Sequence, residues 1–165
     1  LVDGAAASAL PGNTSFSGIT GDYIQLANGS VTDQNATSTV FDGKVGSAMT
    51  TSELLATETK ILHEPDNASL GFVQIKAATL LVTPGGAGIQ AAINAASSGD
   101  TIYVAPGTYV ENVNVNKSVT LLGANAGVAG CTGRGSESAI DGGAGVAINI
   151  TANDVMVDGF GLAGC

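Results

Sequence analysis

Apolar residues recur along this chain in two rhythms. From Thr101 onward they alternate with polar residues in short runs, as in Thr101-Ile102-Tyr103-Val104, Val113-Asn114-Val115, Ile148-Asn149-Ile150 and Val155-Met156-Val157, each ended within a few residues by Gly, Asn, Lys or Ser. A period of two puts alternate side chains on one face, so these runs predict short strands. Their core-facing residues are expected to be Ile102, Val104, Val113, Val115, Val119, Leu121, Ile140, Ile148, Ile150, Val155 and Val157. Just upstream, Ile89, Ala92, Ile93 and Ala96 are spaced i, i+3, i+4 and i+7, the stripe of a short helix that Gly99-Asp100 ends.

The first half is less regular. Residues 1–18 are small, polar and turn-prone, with Pro11-Gly12 among them, and read as a flexible or docking arm. Residues 19–84 read as a small mixed strand/helix/strand module, in which Asp22 to Leu26 alternates and Asn28-Gly29 signals a hairpin turn. Val31, Val40 and Phe41 mark further short strands, while Thr50 and Glu53 have the spacing of a capping box. Leu54, Leu55, Ile61 and Leu62 are expected on one face of a helix that Pro65 stops. From Gly71 to Val82, Phe72, Val73, Ile75, Leu80 and Val82 predict two strands or one bent one, closed by Thr83-Pro84-Gly85-Gly86.

The segment 85–165, a helix followed by strands, repeats itself. Laid over residues 147–161, residues 112–124 bring Val113 and Val115 onto Ile148 and Ile150 at a shift of 35, and Val119 and Leu121 onto Val155 and Val157 at a shift of 36. Thr101-Ile102-Tyr103 lies near Ser138-Ala139-Ile140, a shift of about 37. With the glycine-rich stretch at 125–137 set aside, the underlying period is about 22 to 25 residues, in the range of stacked repeats that bury a core only together. Three short strands per period predict a mainly β chain wound as a right-handed parallel β-helix, a solenoid with the 88–97 helix plugging its first coil.

Several stretches carry a resemblance. Ile89-Gln90-Ala91-Ala92-Ile93-Asn94-Ala95-Ala96, Gly99-Asp100-Thr101-Ile102-Tyr103-Val104, Pro106-Gly107-Thr108-Tyr109 and Val119-Thr120-Leu121-Leu122-Gly123 resemble, in that order, the N-terminal cap and first coil of the pectate-lyase-like β-helix superfamily. That superfamily holds lyases, esterases, hydrolases, adhesins and structural repeats, so the resemblance implies a fold and no particular activity. Met49 to Thr83 is similar to a spacer module that precedes such coils in very large bacterial surface proteins.

Composition narrows the function. The 165 residues carry 5 basic and 14 acidic side chains, a net charge of −9, which excludes a nucleic-acid role and argues against docking on anionic lipid. A hydrophobic content of 44% sets the chain apart from disordered tails, and no run is long enough to insert in a membrane. The chain opens on Leu1, so a processed product or a piece of something longer is expected. Little Lys, a surface of Ser, Thr, Asn and Gly and a conceivable disulfide suggest an extracellular or cell-surface setting. Asn-x-Ser/Thr sequons at Asn13, Asn28, Asn35, Asn67, Asn116 and Asn149 would permit glycans, although Asn149, between two inward Ile, is a poor acceptor.

Candidate chemistry is sparse. Asp141, Asp154 and Asp158, with Arg134 and Lys117, are the charges available to a polysaccharide-cleaving site, but Asp141 and Asp158 fall on different strands and read as turn and solubility residues. His63-Glu64-Pro65-Asp66 has no second His at ligand spacing, and His63 is expected at a helix C-terminus near the last carbonyls. Calcium among Asp66, Asn67 and backbone carbonyls has no Asp-x-Asp ladder behind it, so no cofactor is expected. Gly85-Gly86-Ala87-Gly88 lacks the spacing and the Lys of a phosphate cradle and reads as a cap loop. Cys131 and Cys165 leave equivalent strands in the same direction, which permits a disulfide between neighbouring coils; two free thiols are the other possibility.

A coil ending after Val157 exposes its apolar interior and strand edges. The expected function is therefore a non-catalytic structural or adhesive module of a secreted bacterial surface protein. It would self-associate head-to-tail into a fibre, with copies of itself, further coils or surface polysaccharide as partners. The alternative is a carbohydrate-active enzyme, a polysaccharide lyase or hydrolase, or a fragment of one.

Overall fold

The computed structural model describes residues 10, 14–26, 33–64, 66–67, 69–130 and 133–164. Over these residues the chain is mainly β, with sixteen short strands against two α-helices. The strands β1 (Ser15–Phe16), β2 (Ile24–Gln25), β3 (Gln34–Asn35), β4 (Val40–Phe41) and β5 (Lys44–Val45) come first. Strand β1 pairs in parallel with β4, and Phe16 stacks on Phe41 with ring centroids 5.5 Å apart, so part of the expected arm is held in a sheet. Residues 1–9 and 11–13 of that arm lie outside the described residues.

The Asn28-Gly29 turn and Val31 also lie outside them, and the strands on either side are not a hairpin. Strand β2 pairs in parallel with β6 (Ile61–Leu62) and β3 with β7 (Val73–Gln74), so partners 37 and 39 residues away win over the local turn. The hairpin that does form is β4–β5, closed by Asp42 (φ 46°) and Gly43 (φ 86°), consecutive left-handed residues of the kind an Asp-Gly pair supplies.

Helix α1 (Thr51–Glu58) starts as its sequence dictates: the Thr50 hydroxyl accepts the Glu53 N–H, and the Glu53 carboxylate accepts the Thr50 N–H at 2.8 Å. It stops well before Pro65. Ile61 and Leu62 are not on its face with Leu54 but form β6, where pairing with β2 buries Ile61 in extended backbone. Leu54 is buried, Leu55 half-buried.

Gly71 to Val82 holds two strands, β7 and β8 (Thr79–Val82), with Ala78 left-handed (φ 51°) at the corner before β8. After α2 (Ile89–Ala95) come β9 (Thr101–Val104), β10 (Gly107–Val110), β11 (Val113–Val115), β12 (Thr120–Leu122), β13 (Ser138–Asp141), β14 (Ile148–Ile150), β15 (Met156–Asp158) and β16 (Phe160–Ala163). They fall into three parallel ladders, β8-β9-β12-β15, β10-β13-β16 and β11-β14, which the chain visits in strict rotation from β9 onward.

Two of the three repeat registers match the sequence alignment. Val113 pairs with Ile148 and Val115 with Ile150, and Leu121 pairs with Val157. The third is corrected: Thr101 lies between Thr79 and Thr120, whereas Ser138 lies between Gly107 and Phe160. Strand β13 follows β12 as β10 follows β9, so resemblance of short polar-apolar runs misled where order of passage decides the partner.

Two hydrophobic clusters meet at β8, whose four residues are all buried. Leu80 and Val82 face the cluster inside the three ladders, and Leu81 faces a second one built with Ile24, Phe41, Leu54 and Ile61. Helix α2 packs against β8, β9 and β11, with Ile89, Ala92, Ile93 and Ala96 buried in the first cluster as its spacing predicts. Ala96 sits just past the last helical residue.

Candidate functional site

The charged residues weighed above for catalysis are each tied to local structure. Asp141, on β13, accepts the Gly143 N–H through Oδ1, and Asp158, on β15 in another ladder, accepts the Gly127 N–H through Oδ2. Asp154 is an exposed, left-handed turn residue (φ 53°). The Arg134 guanidinium forks onto both Glu137 carboxylate oxygens at 2.6 Å and donates to the Phe160 carbonyl, pinning the 125–137 stretch to β16. The hydrogen bonds from Arg134, more than its charge, hold the Glu137 carboxyl below the usual carboxylate range. Lys117 donates to the Asn94 and Ala96 carbonyls at the C-terminal end of α2.

His63 is not at the last helical carbonyls. The turn at Thr59-Lys60 folds β6 back beside α1, so His63 is buried with Nε2 2.6 Å from Glu58 Oε1, while Nδ1 accepts the Val73 N–H at 2.8 Å. Nδ1 is thereby an acceptor, and the ring proton belongs on Nε2, donated to Glu58. With both nitrogens engaged, the imidazole has no site left for a metal or a substrate proton. Burial pushes the Glu58 carboxyl above its ordinary value, partly offset by His63. The sequence signal for this pair is slight, because Glu58 ends a helix and His63, five positions on, follows a strand, and only the fold brings them together.

The Gly85-to-Gly88 loop is a cap loop. The anion at the start of α2 is Glu111, whose carboxylate accepts the Ile89 and Gln90 N–H groups at 2.8 and 2.9 Å. Of the calcium candidates, Asp66 accepts the His63 N–H and Asn67 the Ser69 N–H, both as turn supports. No cluster of three or more acidic, His or Cys side chains fit for a metal occurs among the described residues. Cys131 and Cys165 lie outside them.

The feature that stands apart is the end of the ladders away from α2. Along the inward column Leu80, Ile102, Leu121, exposure is 2%, 0% and 1%, and the fourth member, Val157, is half-buried. The column Tyr109, Ile140, Leu162 runs from 5% through 1% to 61%, and Val115 to Ile150 from 0% to 50%. Ile148 and Val155 are half-buried. The expectation that Ile150 is core is therefore corrected: it points along the interior column, but no strand lies beyond β14 among the described residues. The same applies to β15 and β16, each last in its ladder. Strands β14, β15 and β16 thus each leave one backbone edge without a neighbouring strand among the described residues.

Asn149, on the outer face of β14, is exposed and donates to Asn114 Oδ1 at 3.3 Å, one rung of an amide ladder on the third ladder's surface. Comparison with family models, with curated proteins and with solved structures finds no match for this chain.

Proposed function

We propose that the three ladders are the first coils of a right-handed parallel β-helix, and that the chain is a non-catalytic structural or adhesive module of a secreted bacterial surface protein. Right-handed winding is the rule for crossovers between parallel strands. The observation that carries the reading is the loss of burial at the last layer, from Ile140 at 1% to Leu162 at 61% and from Val115 at 0% to Ile150 at 50%. Apolar side chains beside open strand edges template another strand. In this reading the last layer is covered by further coils or by a second copy docking head-to-tail, and because such a contact does not close, it builds a fibre.

The test is multi-angle light scattering and negative-stain imaging of the chain over a hundredfold concentration range, beside an Ile150→Lys/Leu162→Lys variant. Concentration-dependent linear assemblies in the parent and monomers in the variant are expected. A parent that stays monomeric and stable throughout would overturn the self-assembling form of the proposal.

A further inference from the structure

Strands β1, β2 and β3 do at the start of the chain what β14, β15 and β16 do at its end. After them, β4 joins β1, β6 joins β2 and β7 joins β3, all in parallel, so the first half of the chain visits three ladders in the same kind of rotation that the second half follows from β9 onward. Only β5 and α1 interrupt the passage, between β4 and β6. Phe41 from one of these ladders, Ile24 and Ile61 from the next and Val73 from the third are buried together in the second hydrophobic cluster. Strands β1, β2 and β3 are first in their ladders, and each leaves one backbone edge without a neighbouring strand among the described residues.

In a parallel pair, alternate residues of a strand turn their N–H and C=O groups toward the same neighbour, so the bonds already made identify the residues on the free side. The Ile24 and Leu26 N–H groups donate to the Lys60 and Leu62 carbonyls, and those of Gln34 and Ala36 to Phe72 and Gln74, at 2.7 to 3.4 Å, which leaves Gln25 and Asn35 facing away. In β1 the Thr14 and Phe16 carbonyls accept from Val40 and Asp42, which leaves Ser15. All three free-side residues have exposed side chains. At the last layer the offset is reversed. Met156 donates to Val119 and the Asp158 carbonyl accepts from Gly123, so the free side of β15 belongs to the inward Val157. By the same alternation it belongs to the inward Ile150 in β14, where Thr151 donates to Val115, and to the inward Leu162 in β16, where the Ala163 carbonyl accepts from Gly142.

These two offsets fit one another. Ile24 is level with Ile61 but donates to the carbonyl one residue earlier, so parallel pairing joins an inward residue on one strand to an outward residue on the next and keeps the apolar side chains level. An edge offering Ser15, Gln25 and Asn35 therefore receives an edge offering Ile150, Val157 and Leu162, and the contact covers Ile150 and Leu162, now 50% and 61% exposed. We propose that the last layer of one copy docks on the first layer of a second copy, with β14, β15 and β16 pairing in parallel along the free edges of β1, β2 and β3. The proposal rests on the self-association put forward above and names the other half of that contact.

The experiment mixes two variants of the full chain. One is Ile150→Lys/Leu162→Lys, which blocks the last layer; the other is Ser15→Pro/Gln25→Pro, which removes two N–H groups that only an added strand would use. At a concentration where the parent assembles, light scattering is expected to find each variant monomeric alone and the mixture a 1:1 dimer that grows no further. Hydrogen exchange of the unmutated chain, below and above its assembling concentration, needs no variant to fold. Protection at Gln25 and Asn35 is expected to rise about tenfold or more, together with protection at Ile150, Val157 and Leu162. Assembly of the Ser15→Pro/Gln25→Pro variant by itself, a closed dimer of the parent, or protection rising at the last layer alone would overturn this inference and leave self-association standing. A parent that stays monomeric would overturn both.

Discussion

Glu111 and Lys117 grip opposite ends of one helix to which neither belongs. The Glu111 carboxylate accepts the Ile89 and Gln90 N–H groups at the N-terminus of α2, and Lys117 Nζ donates to the Asn94 and Ala96 carbonyls at its C-terminus. Each charge opposes the helix dipole at its own end and satisfies backbone groups that a seven-residue helix leaves open. Both residues flank β11, so the helix that covers one end of the core is fastened to the strand beneath it.

Glu111→Ala is therefore expected to cost about 1 to 2 kcal/mol, with Glu111→Gln losing less. Gly88→Ala should behave similarly, because a Cβ there would lie 2.8 Å from the Glu111 carboxylate at a residue with φ 92°. Urea unfolding at pH 7 measures all three, and an unchanged midpoint for Glu111→Ala would remove this role.

Two carboxyls should leave opposite marks on the pH dependence of stability. Burial raises the Glu58 carboxyl in the folded chain, so its contribution is fully present below about pH 4.3 and is lost as the pH rises through its raised value. Glu58→Gln keeps an oxygen toward His63 Nε2 and removes the buried charge. It should equal or exceed the parent in stability at pH 7, with the difference shrinking toward pH 5. The exposed Glu53 is the reverse case: its bonds with Lys44 and Thr50 lower its carboxyl to about 2, so its contribution holds at neutral pH and is lost as the pH falls from about 4.3 toward 2. Urea midpoints from pH 3 to 7 for the parent, Glu58→Gln and Glu53→Gln separate the two, and parallel curves for all three would contradict both assignments.

The burial gradient along the ladders makes a stability prediction of its own. Leu121 is 1% exposed beneath a further layer, and Leu121→Ala is expected to cost about 2 to 5 kcal/mol. Ile150 is 50% exposed, and truncating it to Ala at low protein concentration is expected to cost under about 1 kcal/mol. Equal losses, measured by chemical unfolding, would mean that the last layer is covered in solution.

Gly159 sits at the corner between β15 and β16 with φ 82°, and a Cβ there would lie 2.1 Å from the Ala126 nitrogen and 2.6 Å from the Asn125 carbonyl carbon. Both neighbours are backbone and cannot turn aside. Gly159→Ala is expected to release β16 from β13, abolishing hydrogen-exchange protection at Phe160–Ala163 while β9 and β12 stay protected. Gly143→Ala (φ 57°), with open space around it, should cost only about 1 kcal/mol and leave β16 in place.

Local rhythm was enough to locate much of this molecule. The stripe Ile89, Ala92, Ile93, Ala96 names the buried face of α2, the Thr50–Glu53 spacing names the start of α1, and the self-similarity of 112–124 and 147–161 yields the residue-by-residue register of β11 on β14 and β12 on β15. These follow from the chain alone because a helical or strand period states which side of an element seeks burial. It does not state what will cover that side. Ile61 became a strand residue through pairing with Ile24, Ser138 joined the second ladder through order of passage, and His63 met Glu58 through a folded-back turn. Ile150, inward by its pattern, stays half exposed because burial requires a neighbour, and neighbours are supplied only by the assembled chain.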